Sequence, residues 1–349
     1  MAYTTINKSS LHMNSKLYTG TGSSNALTGI NFQPDLTWIK KRDGTNYHVL
    51  TDAVRGATKQ IYSNDTGAEQ AVAEGLKSFD SDGFTLGTNG DTNGNGGSYV
   101  GWNWKAGTTS GITTDGNTTI TPSYYSINQT AGFSIIKYTG NGVEGAKLSH
   151  GLGGTLATMV TKKLDTTGDW VCYHKGVATG KNVWWNYTLT ETARSPNGYI
   201  YSPDATNIAL STHANVNNNG TEYIAYCWKE VTGYSKFGSY TGNGNADGTF
   251  VYTGFKPAWV MRKNIDGGVT ESWIIEDNKR NTFNPVNEML IANGNNAEVA
   301  NNFDTDFLSN GFKMRTNNDG TNRSSTNYIY MAFAEAPLVG DNNVPCTAR

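Results

Sequence analysis

The sequence predicts an all-β protein of three tandem antiparallel β-sandwich domains with short tails at both ends. Three observations carry that expectation: a threefold internal repeat, strands whose apolar residues alternate, and a composition rich in turn formers and aromatics. Of 349 residues, 41 are Gly, 11% are aromatic and only 16% are charged. Gly and Asn alongside many Tyr and Trp favour strands joined by tight turns.

The repeat has three markers in a fixed order. Tyr18-Thr19-Gly20-Thr21-Gly22 recurs as Tyr138-Thr139-Gly140-Asn141-Gly142 and as Tyr240-Thr241-Gly242-Asn243-Gly244. A closing marker, Tyr99-Val100-Gly101-Trp102-Asn103-Trp104, is echoed by Tyr223-Ile224-Ala225-Tyr226-Cys227-Trp228 and Tyr328-Ile329-Tyr330-Met331-Ala332-Phe333. A third marker precedes it at a nearly constant distance: Phe84-Thr85-Leu86, Ile208-Ala209-Leu210 and Phe312-Lys313-Met314. Repeats of fixed order indicate one supersecondary unit used several times. The expected boundaries are an N-terminal docking tail at 1–17, sandwich repeats at 18–106, 131–230 and 231–337, and a C-terminal tail at 338–349. Residues 107–130, rich in Thr, Gly, Ser and Asn, read as a linker with one extended pairing segment at 118–121. The two tails fall outside the repeats, which makes them the natural docking segments.

Each closing marker alternates. Val100, Trp102 and Trp104 fall on one face of an extended strand, as do Ile224, Tyr226 and Trp228, and Ile329, Met331 and Phe333. Burying a Trp-sized side chain contributes about 2–3 kcal/mol, so these faces are expected to centre three separate cores. Further strands are expected at Leu36–Lys40, Met159–Lys162, Trp170–Tyr173, Trp259–Lys263 and Trp273–Glu276. Asn93-Gly94-Asn95-Gly96-Gly97 and Asn217-Asn218-Asn219-Gly220 read as hairpin turns. The one helical hint is Ala68 to Ser78, which predicts a turn or two of helix inside a loop.

The formal net charge is −2. With no clustered Lys or Arg, nucleic acid and anionic membranes are excluded as expected partners. The N-terminus has no basic-then-apolar signal region and no long apolar run follows, so a soluble chain without membrane insertion is expected. Cys172 and Cys227 sit in apolar stretches and read as buried fillers, with Cys346 a stray thiol.

Motifs that carry chemistry are scarce. None of His12, His48, His150, His174 and His213 lies in a nucleophile-base setting, and alignment places His174 opposite Asp52 and Asp277. Asp91-Thr92-Asn93-Gly94-Asn95-Gly96 matches the opening of a Ca²⁺ loop, but the twelfth position is Trp102 where a bidentate Glu is needed. Candidate carboxylates for glycoside cleavage (Asp80, Asp82, Glu271, Glu276 and Asp277) show no pairing in the sequence. No enzyme activity, catalytic residue, metal or cofactor is therefore expected. The aromatic pairs Trp184-Trp185 and Tyr124-Tyr125 are the candidate ligand residues, able to stack on sugar faces or anchor a partner, although a strand places one Trp of a pair in the core.

The Tyr-Thr-Gly-Asn-Gly openings, Ser81-Asp82-Gly83-Phe84, the closing motifs, Ala2-Tyr3-Thr4-Thr5-Ile6 and Val344-Pro345-Cys346-Thr347-Ala348-Arg349 together resemble a family of virion structural proteins from marine tailed bacteriophages. The resemblance spans nearly the whole chain. It implies concanavalin-like (jelly-roll) sandwiches, a place on the exterior of the virion as a capsid decoration or tail-fibre component, synthesis in the cytoplasm of a bacterial host, and no catalytic residues. It also implies other phage structural proteins, capsid or tail subunits, as partners, with many copies or a homo-oligomer on the particle. A receptor- or glycan-binding adhesin is the second reading, and a polysaccharide-degrading enzyme the third.

Overall fold

The computed structural model describes residues 3–266, 271–300, 303–339 and 345. Cys346 and most of the C-terminal tail lie outside the described residues. The fold is all-β, 42% strand and 3% helix. Among the described residues the named strands all pair antiparallel, and each repeat contributes one larger and one three-stranded sheet.

The larger sheets share one plan. In each, an opening strand pairs with the closing strand, and the closing strand pairs in turn with the strand that follows the first turn region. The first has six strands, in the order Met13–Thr19, Ser98–Trp104, Leu36–Lys41, Val49–Asp52, Lys59–Tyr62, Gln70–Ala71. The second has seven, because Tyr124–Asn128 is added outside its opening strand Phe133–Thr139. The third has five, beginning Ser235–Thr241, Asn327–Pro337, Phe255–Asn264. Opposite them lie the three-stranded sheets, whose middle strands are Gly83–Leu86, Asn207–Leu210 and Gly311–Met314.

The opening motif is explained by a close backbone approach. A Cβ on Gly20, Gly140 or Gly242 would stand 2.2–2.4 Å from the carbonyl oxygen of Gly94, Asn218 or Arg323. The second glycine of each motif takes a positive φ: 62° at Gly22, 68° at Gly142 and 66° at Gly244. The Asn93, Asn217 and Asn322 side chains each accept the backbone N–H between the two glycines. Tyr18, Tyr138 and Tyr240 stack on Tyr99, Tyr223 and Tyr328 with ring centroids 4.9–5.1 Å apart. The motif clamps the opening strand to the turn before the closing strand, three times over.

Burial assigns the two faces of the closing strands differently from the sequence expectation. Tyr99, Tyr223 and Tyr328 face the three-stranded sheets, in separate cores within each repeat. Val100, Trp102 and Trp104, with Ile224, Tyr226 and Trp228 and with Ile329, Met331 and Phe333, all enter one shared core. The bulky faces thus centre a single core common to the repeats, not three separate ones. Each larger sheet is buried on both sides.

The local expectations meet different outcomes. Residues 68–78 form no helix: Gln70–Ala71 pairs with Lys59–Tyr62, and Leu76 enters the first repeat's core. The clusters 93–97 and 217–220 do turn, with Gly96 and Gly220 at positive φ. Each follows a single helical turn (Gly90–Asn93 or Ala214–Asn217, capped by the Asn89 or His213 side chain) and links strands of different sheets, not a hairpin. The expected docking tail at 1–17 is built into the molecule over its described residues: Ile6 lies in the shared core, Tyr3 Oη donates to Gly254 O, and Met13–Thr19 is a strand. In the linker at 107–130, the expected pairing segment at 118–121 forms a parallel bridge from Ile120 to Leu148, and the strand Tyr124–Asn128, which was not expected, joins the second large sheet.

Candidate functional site

Two places combine buried polar groups with inter-repeat contact, and the first is the ring of junctions around the shared core. In the first repeat Asp52 closes its strand, and its Oδ1 accepts the backbone N–H groups of Val54 and Arg55. Arg55 Nε donates to Oδ2 at 2.5 Å, and Tyr226 Oη of the second repeat donates to the same oxygen at 2.8 Å. The third repeat copies this. Asp277 Oδ1 accepts from Lys279 and Arg280, Arg280 Nε donates to Oδ2 at 2.6 Å, and Trp102 Nε1 of the first repeat donates at 3.0 Å. Burial pushes the Asp277 carboxyl up, but the Arg280 guanidinium outweighs it and holds it below the usual range.

The second repeat has His174 in that position. His174 Nδ1 accepts from Gly176 N at 3.0 Å, which leaves Nε2 to donate to Tyr330 O of the third repeat at 3.1 Å. Burial lowers its pKa to about 4, so the ring is neutral at pH 7. The first repeat therefore grips the second, the second the third, and the third the first.

A second set of contacts runs the same way. Backbone N–H groups of Glu69, Glu191 and Glu298 donate to the carbonyls of Leu164, Ile265 and Arg42. Trp170 Nε1 reaches back to Tyr62 O, and Trp273 Nε1 to Trp184 O. The ring is closed by repeated, head-to-tail contacts.

The four aromatic candidates separate cleanly. Trp185 is 1% exposed and stacks between Trp38 and Trp170 in the shared core. Trp184 is also buried, its Nε1 donating to Thr192. Both belong to the core because one face of their strand meets the second repeat's own core and the other the shared core. Tyr125 is half-buried, and its Oη accepts from Ile112 N. Tyr124 is 63% exposed.

Tyr124 borders the second place, a cleft of about 490 Å³ between the first repeat and the added strand Tyr124–Asn128. Asp35 lies in its floor, with Oδ1 accepting from Ser126 Oγ and Oδ2 from Ala106 N, both at 2.8 Å. Burial pushes the Asp35 carboxyl up. Lys137 Nζ lies over the Tyr124 ring, 5.9 Å from its centroid. Sequence reasoning passed over Asp35, which lies 91 residues from Ser126 in the chain and carries no local motif.

The other candidates are engaged elsewhere. Asn93 of the Ca²⁺-like loop spends its amide on Thr21, Ser23 and Gly87. Glu276 pairs with Arg262 at 2.5 Å inside the third repeat, and Asp82 accepts from Gly29 and Asn31. Cys172 and Cys227 are buried, and burial pushes both thiols up to about 12. Among the described residues no group of three or more His, Cys, Asp or Glu is placed to hold a metal ion. No described helix is long and apolar enough to cross a membrane.

Residues 8–337 match one family model, described as a domain of unknown function, DUF7483. The chain belongs to that family. The match runs from before the first opening strand through the end of the last closing strand, so DUF7483 takes in the whole ring of junctions. No match to the chain was found among curated proteins or solved structures.

Proposed function

We propose that this DUF7483 chain is a non-enzymatic structural protein on the exterior of a tailed-bacteriophage particle, serving as a pseudo-trimer. In this reading each repeat is a concanavalin-like sandwich of one larger and one three-stranded sheet, and three of them close head to tail around one axis. The observation that carries the reading is the cyclic set of junctions through Asp52, His174 and Asp277. A chain that closes on itself suits a site of three-fold or pseudo-three-fold symmetry, whereas a fibre shaft favours repeats stacked in a line. The virion assignment rests on the family resemblance in the opening and closing motifs. Small-angle scattering should give a compact, nearly isometric profile, and an elongated one counts against the pseudo-trimer. A cryo-EM map of the particle should then show three lobes of density at a symmetric exterior position. A particle without density for the chain overturns the assignment.

The exposure of Tyr124 beside a polar cleft favours a second reading, a receptor- or glycan-binding adhesin. Binding of the purified protein to host cells, measured against non-host cells, tests it.

A further inference from the structure

We infer that the cleft between Tyr124 and Asp35 is a binding site for a neutral saccharide ring. The corresponding gap between the third and first repeats, lined by Asn14, Ala258, Asn278, Lys279 and Glu335, holds only about 60 Å³ against about 490 Å³ here. The second and third repeats join through 229–233, while the first and second are separated by the 107–130 insertion that forms one wall of the cleft. A scaffold that needed only closure would need no such insertion. Long inserted loops on a rigid framework commonly carry binding functions.

The chemistry of the lining selects the ligand class. Tyr124 offers an exposed ring, with the Lys137 ammonium over it. The C–H face of a pyranose stacks on such a ring, with an apolar body and a polar rim on both partners. Asp35 is 6% exposed, and its two hydrogen bonds from Ala106 N and Ser126 Oγ fix the carboxylate before any ligand arrives. Each oxygen retains acceptor capacity for a hydroxyl. Gln33 and Ser123 add neutral donors and acceptors, and Val54 supplies an apolar patch in the same cleft. A volume of about 490 Å³ falls in the range of small-molecule sites. Lys105 also lines the cleft and offsets the Asp35 carboxylate, so the lining carries one charge of each sign and favours a neutral ring over an anion such as phosphate.

This inference rests on the glycan-binding reading, and the experiment separates the two. Saturation-transfer difference NMR is run on the full chain with the methyl glycosides of glucose, galactose, mannose and N-acetylglucosamine. At least one should show saturation of its ring C–H protons. Tyr124→Ala should weaken that binding by about tenfold, the loss of one stacking contact. Tyr252→Ala, which removes another exposed Tyr, should leave it unchanged. Circular dichroism of both variants should match the parent chain, since neither ring is buried. If no glycoside gives a signal, the reading and the site both fall. If Tyr124→Ala binds as well as the parent chain, the saccharide sits elsewhere and the site alone falls.

Discussion

The junction between the third and first repeats and that between the second and third occupy the same place in the repeat but use different chemistry. At Asp277 a carboxylate, a guanidinium three residues on and an indole N–H from the neighbouring repeat form a fully buried network. At His174 the residue three positions on is Val177, and the facing side chain in the neighbouring closing strand is Met331, which has no donor to offer. The imidazole reaches a backbone carbonyl in its place. Two junctions, at Asp52 and Asp277, are thus ionic, and one is neutral. A buried pair is held up only while both partners are present, whereas a neutral imidazole is sensitive to protonation. One ring therefore contains two kinds of failure point.

Breaking an ionic junction should have the largest effect. Asp277→Ala leaves Arg280, whose side chain is fully buried, with only Glu298 as an ionic partner, and deprives Trp102 Nε1 of its acceptor. A loss of about 3–5 kcal/mol is expected from equilibrium urea unfolding. Asp52→Ala should cost a similar amount through Arg55 and Tyr226. His174→Ala should cost less, about 1–2 kcal/mol, since neutral hydrogen bonds are lost. Equal losses at all three positions would erase the distinction.

Of the three junctions, acid should weaken the neutral one through its imidazole. His174 has a folded pKa of about 4 against an ordinary 6.5. Between those values the unfolded chain binds the proton that the folded chain refuses, so stability falls as pH drops from about 6.5 toward 4. That gap corresponds to ~3 kcal/mol. His150, also lowered to about 4 by burial, and His48 in the first repeat, which burial lowers well below the ordinary value, add their own acid losses. His174→Gln can accept from Gly176 and donate to Tyr330 without titrating. Thermal unfolding from pH 7 to 4 should show the variant losing less stability than the parent chain, with the His150 and His48 shares remaining. An unchanged pH profile would remove His174 from the account.

Converting the junction should sharpen the comparison further. His174→Asp alone buries a carboxylate with no cation three residues on, and adding Val177→Arg supplies one. The double-mutant cycle should give a favourable coupling of about 1–3 kcal/mol. Additive effects would mean that the Asp-x-x-Arg spacing at 52–55 and 277–280 is incidental.

Much of this ring was legible in the sequence, though not which way it faces. The opening and closing motifs located the opening and closing strands, and alignment placed His174 opposite Asp52 and Asp277, where the junction contacts fall. Alternation in Val100, Trp102 and Trp104 revealed an apolar face, but period two says nothing about which neighbour covers it. The Ala-rich run at 68–78 has a helical composition that tertiary context overrides: Glu69 N is drawn to Leu164 O, and Gly75 is packed so tightly that a Cβ would collide with Gln60. Strand alternation puts one of Trp184 and Trp185 in the core, but a sheet buried on both faces buries the other as well and leaves no polar alternation to signal it. The Tyr124 cleft depends on the contact of Ser126 with Asp35, 91 residues away in the chain, which no local pattern encodes.

The smallest expected effect tests whether the shared core is specified by hydrogen bonding or by packing. Trp102 and Trp228 both face that core, but Trp102 donates to Asp277 while the buried Trp228 Nε1 has no hydrogen-bond partner. An unpaired buried donor costs about 1–3 kcal/mol, which offsets part of the transfer gain from the larger ring. The third repeat already places Phe333 at this position, so the site accepts a smaller aromatic. Trp228→Phe keeps the stack on Phe133, whose centroid lies 5.0 Å away, and should change stability by less than about 1 kcal/mol. Trp102→Phe strands one acceptor bond of Asp277 and should cost about 2 kcal/mol more. If the two Phe variants unfold at the same urea concentration, the Trp102–Asp277 bond contributes nothing beyond packing, and the ionic junctions differ from the neutral one only in their guanidinium.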